Sequence, residues 1–366
     1  VKIEMEAADL LSVVRGAAKS CAGRSINPIL TGVKLTAEGD VVAAVGTDLN
    51  TASAHRGRCK AVRAGTCVLM QPGKLLTVLK EHGGYVHLSC DGEAVEVKLH
   101  GGKYKFPAAN PDEFPDFPQA DGKSVLAVPA PLLLRAVRQV SCAASRNENV
   151  RFALTGVLFE VADGALSLVA TDTKRLHRAV VCPADAAWPD GLLVPSKTVG
   201  ILEGVLLGVE GDVTLTASMA DVRFEAGDWR LYSRLLEGKF PAWRSFVPKE
   251  SDVRFVLDIA GFASATKRAA ITSDAESNRV DYEFEPGRVS MSAKGAETGA
   301  SEVEVEVPGC DGGLSVSFDP DYIDDAARAC LEGGSAECVF RSSGARKPAV
   351  FEWEGGFALV MPISTE

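Results

Sequence analysis

The chain has 366 residues, 46% hydrophobic and 24% charged, with a net charge of −10, and that length favours two or three domains of roughly 100–200 residues over one core. No apolar run approaches the roughly 20 residues of a membrane helix, no secretory signal is visible, and the nine cysteines show neither a C-x-x-C pair nor zinc spacing, so they read as reduced thiols of a cytoplasmic protein. The acidic balance repels nucleic acid on average, so a role on DNA requires Lys and Arg gathered on one surface.

In chain order, "EAADLLSVVRGAAKSCAG" from Glu6 has helical periodicity and carries Arg15 and Lys19 at i,i+4 spacing. Alternating runs such as "GVKLTA" and "VVAAVGTD" read as strands. "CVLMQPGKLLTVLKEHGGYVHLSC" then predicts a strand, a helix opened by Pro72 with Lys74 and Lys80, a glycine stop and a second strand. "GGKYKF" alternates Lys103 and Lys105 on one strand face. The plan returns with a helix near Pro129 bearing Arg135 and Arg138, the strands of "GVLFEVADGALSLVATD", and a helix at Pro195 bearing Lys197. It returns again with a helix from Asp258 bearing Lys267 and Arg268, the strand "SEVEVEVP" with Glu302, Glu304 and Glu306 on one side, and a helix at Pro320 bearing Arg328. The three prolines stand 123 and 125 positions apart. The chain is therefore three α+β units of about 120 residues, each with two helices packed on antiparallel sheets, and the period is too long for a solenoid.

Candidate chemistry is sparse. "VGTDLNTASAHR" in the first unit matches "VATDTKRLHRA" in the second, placing Asp48 opposite Asp172, while the third unit reads "MSAKGAETGAS" at the same place. A Thr-Asp leaving a strand is most simply a turn device, and His177 has no carboxylate and nucleophile at motif spacing. Asp319, Asp321, Asp324 and Asp325 lack the Gly and Glu of an EF-hand loop and fit a helix start. No phosphate loop or nucleophile elbow is present. The pattern predicts no catalytic residue, metal or cofactor. Basic residues on helices of every unit predict a surface facing phosphates, although any single pair reads better as a solvated helix face. The Lys and Glu strand faces, from opposite ends of the chain, predict head-to-tail attraction between molecules, which closes into a ring when the rotation allows; the plainer reading is charged edges that resist aggregation.

"RSINPIL" (24–30), "VRFALTGVLFE" (150–160), "ATDTKRL" (170–176), "GKFPAWRSFVPK" (238–249) and "LVMPI" (359–363), in this order and spacing, resemble the bacterial DNA polymerase III beta subunit, the sliding-clamp family. The resemblance implies three tandem DNA-clamp domains over 1–122, 123–248 and 249–366, a homodimeric six-domain ring around double-stranded DNA, and no enzymatic activity, cofactor or membrane. Twelve helices of about 10 Å diameter would enclose a circle of roughly 120 Å, about 28 Å clear, which passes a duplex. The implied partners are the DNA polymerase III alpha subunit, the clamp loader, and other polymerases and repair proteins. They would dock in a groove formed by Leu154, Thr171, Thr173, Lys174, Arg175, Leu176, Pro241, Phe246, Pro348, Leu359, Val360, Met361 and Pro362, where adaptable Met and apolar anchors suit several partners. Arg175 is expected to pair outward at the rim. Arg24 and Lys197 are implied DNA contacts, beside the helix cations above. Phe106 and Ile271 match dimer-contact positions, with Ala108 and Thr272 where larger apolar residues are common. Thr173 and Lys174 depart from the family's small residue followed by His, His177 stands where a small residue is usual, Phe246 is bulkier than the usual aliphatic, and the tail "MPISTE" lacks the terminal Arg. The alternative is a repeat-built interaction scaffold that does not encircle DNA.

Overall fold

A computed structural model describes residues 1–119, 122, 124–147, 152–184, 188–189, 191–274, 276–307 and 313–364; Cys310, and Val150 and Arg151 of the second motif above, lie outside them. Among the described residues six α-helices form where the apolar period is 3.6: α1 (Ala7–Ala18), α2 (Pro72–Glu81), α3 (Ala130–Val140), α4 (Ser196–Leu206), α5 (Ile259–Ala269) and α6 (Pro320–Glu332). Pro72 and Pro320 open their helices, where a missing N–H costs nothing. Pro129 and Pro195 instead end the preceding strands, so α3 and α4 start one residue later than the sequence suggests. Asp319 caps α6 by accepting from the Asp321 amide at 3.0 Å.

The chain folds into two compact units, Val1–Ala130 with Ala186–Pro189 and Gly200–Leu235, and Pro131–Asp185 with Asp190–Val199 and Leu236–Glu366. The central repeat is thus shared between them. In the first unit one antiparallel sheet of thirteen strands runs Ser124–Pro129, Asp212–Ala217, Asp221–Ala226, Trp229–Arg234, Thr51–Arg58, Val41–Thr47, Val33–Glu38, Gly65–Leu69, Gly102–Ala109, Ala94–Leu99, Tyr85–Cys90, Lys2–Glu6 and Lys60–Arg63. In the second unit an eight-stranded sheet runs Leu192–Pro195, Gly156–Ala162, Ala165–Thr171, Arg175–Pro183, Gly356–Val360, Ala349–Trp353, Glu337–Ser342 and Val253–Asp258, beside a four-stranded one of Gly299–Val307, Gly287–Gly295, Val280–Glu285 and Leu314–Phe318. Helices α1 and α2 pack together, as do α5 and α6. Their apolar stripes close cores around Leu10, Val14, Leu75 and Leu79 in the first unit and around stacked Phe255, Phe284 and Phe340 in the second, with centroids 4.9 and 4.6 Å apart.

The repeat is visible in hydrogen bonds. Ser53, His177 and Ser301 are equally spaced in sequence, and each bonds a carbonyl in the last turn of its repeat's first helix. Ser53 Oγ donates to Gly16 O at 2.9 Å, His177 Nδ1 lies 2.8 Å from Gln139 O, and Ser301 Oγ donates to Ala269 O at 2.6 Å. The strands that carry them share a second role. Thr51–Arg58 pairs with Trp229–Arg234, Ser53 opposite Leu231, and Arg175–Pro183 pairs with Gly356–Val360, His177 opposite Ala358. The third equivalent, Gly299–Val307, ends its sheet and has one flank unpaired among the described residues. Gly102–Ala109, the first repeat's counterpart of Trp229–Arg234 and Gly356–Val360, is joined on its far flank only through Ala108 and Ala109.

His177 is fully buried, and burial, reinforced by the charge of Arg175, lowers its pKa to about 4 despite the bond to Gln139 O. His55 falls to about 4 through burial and then Lys19. Both are neutral when folded, while an unfolded chain takes up protons below about pH 6.5. Stability is therefore fully present above pH 6.5 and falls as pH drops toward 4, by up to about 3 kcal/mol per histidine. Urea unfolding between pH 6.5 and 4.5 is expected to show a loss shallower by about 2–3 kcal/mol in His177→Gln than in the parent; equal slopes would remove His177 from the acid response.

Candidate functional site

The two Thr-Asp turns are built alike. Thr47 Oγ1 donates to Thr51 O at 2.9 Å and accepts from the Leu49 amide at 3.0 Å, while Asp48 Oδ1 accepts from the amides of Asn50 and Thr51 at 3.0 and 2.7 Å. In the second repeat Thr171 Oγ1 donates to Arg175 O at 2.6 Å and accepts from the Thr173 amide at 3.1 Å, and Asp172 Oδ1 accepts from the Lys174 and Arg175 amides, each at 2.9 Å. In each turn Oδ1 of the carboxylate is engaged by backbone amides, and the residue that follows the Asp is left-handed, with φ 75° at Leu49 and 78° at Thr173. These are turns, as the sequence predicts. The one thiol–imidazole neighbour pair among the described residues, Cys142 Sγ at 3.7 Å from His177 Nδ1, carries no thiolate, since burial and then Asp325 push Cys142 up to about 12.

The Asp172 turn borders the outer face of the eight-stranded sheet. Register places Leu176 opposite Leu359 and Val350 opposite Leu359, and alternation turns all three to the side away from α3 and α6. With Leu158, Val169, Leu193, Phe240, Trp243 and Phe357 they form an apolar floor, walled by partly buried Val247 and Leu236. Leu154 and Thr171 are buried beside it at 5% exposure. Phe246 at 54% and Met361 at 39% are exposed apolar groups, Pro241, Pro348 and Pro362 are half-buried, and Thr173 and Lys174 are exposed. The Met361 amide donates to Lys174 O at 2.8 Å, which ties the tail to the turn. Val360 departs from expectation: one residue out of phase with Leu359, it points into the third repeat's core and is 0% exposed. Phe240, Trp243, Val350 and Phe357 were not anticipated; the alternation of "GFALV" signals Phe357 once Leu359 is placed. Trp243 is held by Nε1 donating to Glu160 Oε1 at 3.0 Å and by Arg244 stacked 4.4 Å above its ring.

Arg175 does not face outward. Its guanidinium bonds Asp172 at 3.1 Å, Asp325 of α6, and Cys142 O at 2.6 Å, and stacks 4.5 Å from the Tyr322 ring, leaving the side chain 13% exposed. Burial opposes its charge, but Asp172 and Asp325 outweigh that and raise its pKa above the ordinary value. Truncation here would strand two partly buried carboxylates, Asp172 and Asp325.

The cations expected to face DNA fall into three groups. Arg15, Lys19, Arg24, Lys74, Lys80, Arg135 and Arg268 are exposed and make no ion pair among the described residues. Lys197 is exposed with an interaction of its own. Arg138 lies 3.7 Å from Glu332, Lys267 lies 2.7 Å from Asp324, and Arg328 bonds Asp324. At the strand edges Lys103, Lys105, Glu302, Glu304 and Glu306 are exposed on one face of their strands. Lys103 is already paired with Glu96 at 2.9 Å, and Glu304 with Arg288 at 3.4 Å. Phe106 is a core residue at 7% exposure, Ala108 packs partly on that core, Ile271 is 76% exposed, and Thr272 Oγ1 donates to Ser301 Oγ at 2.8 Å. Among the described residues no group of His, Cys, Asp or Glu is placed to hold a metal ion, and no helix is long and apolar enough to cross a membrane.

Comparison with known proteins bears on this arrangement. Three family models match in chain order: DNA polymerase III beta subunit, N-terminal domain over 1–118, central domain over 127–242 and C-terminal domain over 244–355. The beta sliding clamp of Caulobacter vibrioides is 27% identical over 359 residues, 96% of this chain and 95% of its own, and that of Bacillus subtilis is 26% identical over 390 residues, spanning 100% of both. The crystal structure of the Caulobacter crescentus beta sliding clamp superposes with a TM-score of 0.89 at 27% identity, covering 100% of this chain and 99% of the other. A Pseudomonas aeruginosa sliding clamp reaches 0.90 at 24% identity over 100% and 99%, a likeness that speaks to fold alone.

Proposed function

Because the chain belongs to the DNA polymerase III beta-subunit family, we infer that it acts as a sliding clamp, a non-catalytic factor that encircles duplex DNA as a head-to-tail homodimer and tethers the replicative polymerase. The observation that carries the dimer is the repeat of junctions. Two of the three equivalent strand edges are filled within the chain, and the third leaves one flank of Gly299–Val307 and of residues 102–107 open, one acidic and one basic. A second copy supplies the missing partner for both, so the contact is heterologous and a two-copy ring fills the open junction of each copy. Repeats at 1–122, 123–248 and 249–366 give six domains in that ring.

The remaining assignments follow from chemistry. The exposed, unpaired cations of α1, α2 and α3 attract phosphates without reading sequence, which favours DNA over a scaffold that never meets it. An acidic protein that relies on enclosure slides, since its hold does not depend on tight phosphate contacts. The floor around Leu176 and Leu359, with Phe246 and Met361 exposed at its margin, suits short segments with apolar anchors. We assign it to the DNA polymerase III alpha subunit, the clamp loader, and other polymerases and repair proteins, all meeting in the cytoplasm. Negative-stain imaging at micromolar concentration tests the architecture: closed rings with a central hole are the expected particles, and crescents or compact monomers alone would overturn the dimer.

A further inference from the structure

The first and third repeats place cations at matching positions on paired helices but treat them differently. Arg15 and Lys267 each stand nine residues beyond the cap residue of α1 and α5, Glu6 and Asp258. Lys80 and Arg328 each stand eight residues beyond the proline that opens α2 and α6. In the first repeat both cations are exposed and make no ion pair among the described residues. In the third repeat one carboxylate joins them: Asp324 lies 2.7 Å from Lys267 Nζ and accepts from Arg328 Nε at 2.9 Å. The first repeat's residue at that helix position is Leu76.

Asp324 is 8% exposed, an unusual site for a carboxylate unless its charge is used. Burial disfavours that charge, but hydrogen bonds from Lys267 and Arg328 outweigh it and hold the carboxyl below the ordinary range. Asp325, the other acid near Arg328 at 3.8 Å, is engaged by Arg175. Asp324 therefore remains ionised and keeps both cations occupied.

We propose that Asp324 is an internal counter-charge that withholds Lys267 and Arg328 from DNA phosphates, so that at these matched positions the first repeat carries the attraction and the third does not. The proposal rests on the clamp reading, and it gives the asymmetry a purpose: fewer simultaneous phosphate contacts mean less drag on a ring that has to move.

The test is binding of a fluorescein-labelled linear duplex of mixed sequence to the full-length protein, followed by anisotropy across a salt series. Asp324→Leu, which installs the first repeat's residue, and Asp324→Asn are expected to tighten binding about tenfold at low salt and to steepen the salt slope by about 1–2, since each new phosphate contact adds about 0.9. Adding K267A/R328A to Asp324→Leu should return binding to the parent's, which separates freed cations from a folding defect. In the parent, K267A/R328A should change affinity less than twofold, whereas R15A/K80A should weaken it severalfold. The proposal is overturned if K267A/R328A and R15A/K80A weaken the parent equally, or if folded Asp324 variants bind as the parent does. If R15A/K80A also has no effect, the DNA reading itself fails.

Discussion

Reversing the two lysines of the basic edge, K103E/K105E, is expected to weaken the dimer by about 2–3 kcal/mol, roughly a hundredfold in dissociation constant. The register of the two filled junctions sets that of the third. Leu231 and Ala358 are the third residues of their strands and face Ser53 and His177. Tyr104 is the third residue of Gly102–Ala109, and Ser301 is the equivalent of Ser53 and His177, so the same register in the proposed dimer would set Tyr104 opposite Ser301. Antiparallel counting then puts Lys103 opposite Glu302, with Lys105 diagonal to Glu302 and Lys103 diagonal to Glu304. Opposite charges at such positions stabilise and like charges destabilise, so reversal counts twice. Lys103 divides its charge with Glu96 of its own chain, which places the effect below that of two free pairs. The complementary E302K/E304K should be monomeric alone and should form heterodimers when mixed with K103E/K105E. Sedimentation of each variant and of the mixture reads the result; an unchanged dimer in the first variant would remove the edge pairing.

Met361→Ala is expected to weaken a short partner peptide with Leu and Phe anchors by about 1–2 kcal/mol, and Leu359→Ala by about 2–4 kcal/mol. The difference follows from placement. Met361 is exposed at the margin, so its truncation removes contact area and little else. Leu359 lies in the floor between Leu176 and Val350, so its truncation also leaves a cavity beneath the peptide. Both variants should sediment as the parent does, because neither residue lies on an open strand edge. Titration of a labelled peptide showing parent affinity for both would reassign the groove.

Much of this was legible beforehand, and what was not has a common cause. The helices and their cations follow from apolar period and proline placement, and the Thr-Asp turns from the short side chains themselves. Facing is harder. Leu359 and Val360 are equally apolar, and only the register with Arg175–Pro183 sends one to the groove and the other to the core. Arg175 reads as a rim residue until sheet pairing brings Asp325, far along the chain, to its guanidinium. Asp324 reads as one of four acids at a helix start, and becomes a bridge only because α5 packs beside α6. Each miss is a contact between segments distant in sequence, which local propensity cannot supply.

The unlike open edges carry one more consequence. Had each edge of the proposed ring been self-complementary, like edges would meet and the assembled object would look the same from either side. A basic edge that accepts only an acidic one forces every copy to travel the ring in the same sense, so the two faces of the ring differ. On the proposed ring every copy presents its groove in the same sense, so a polymerase docked in it would take a direction along the duplex before reading a single base.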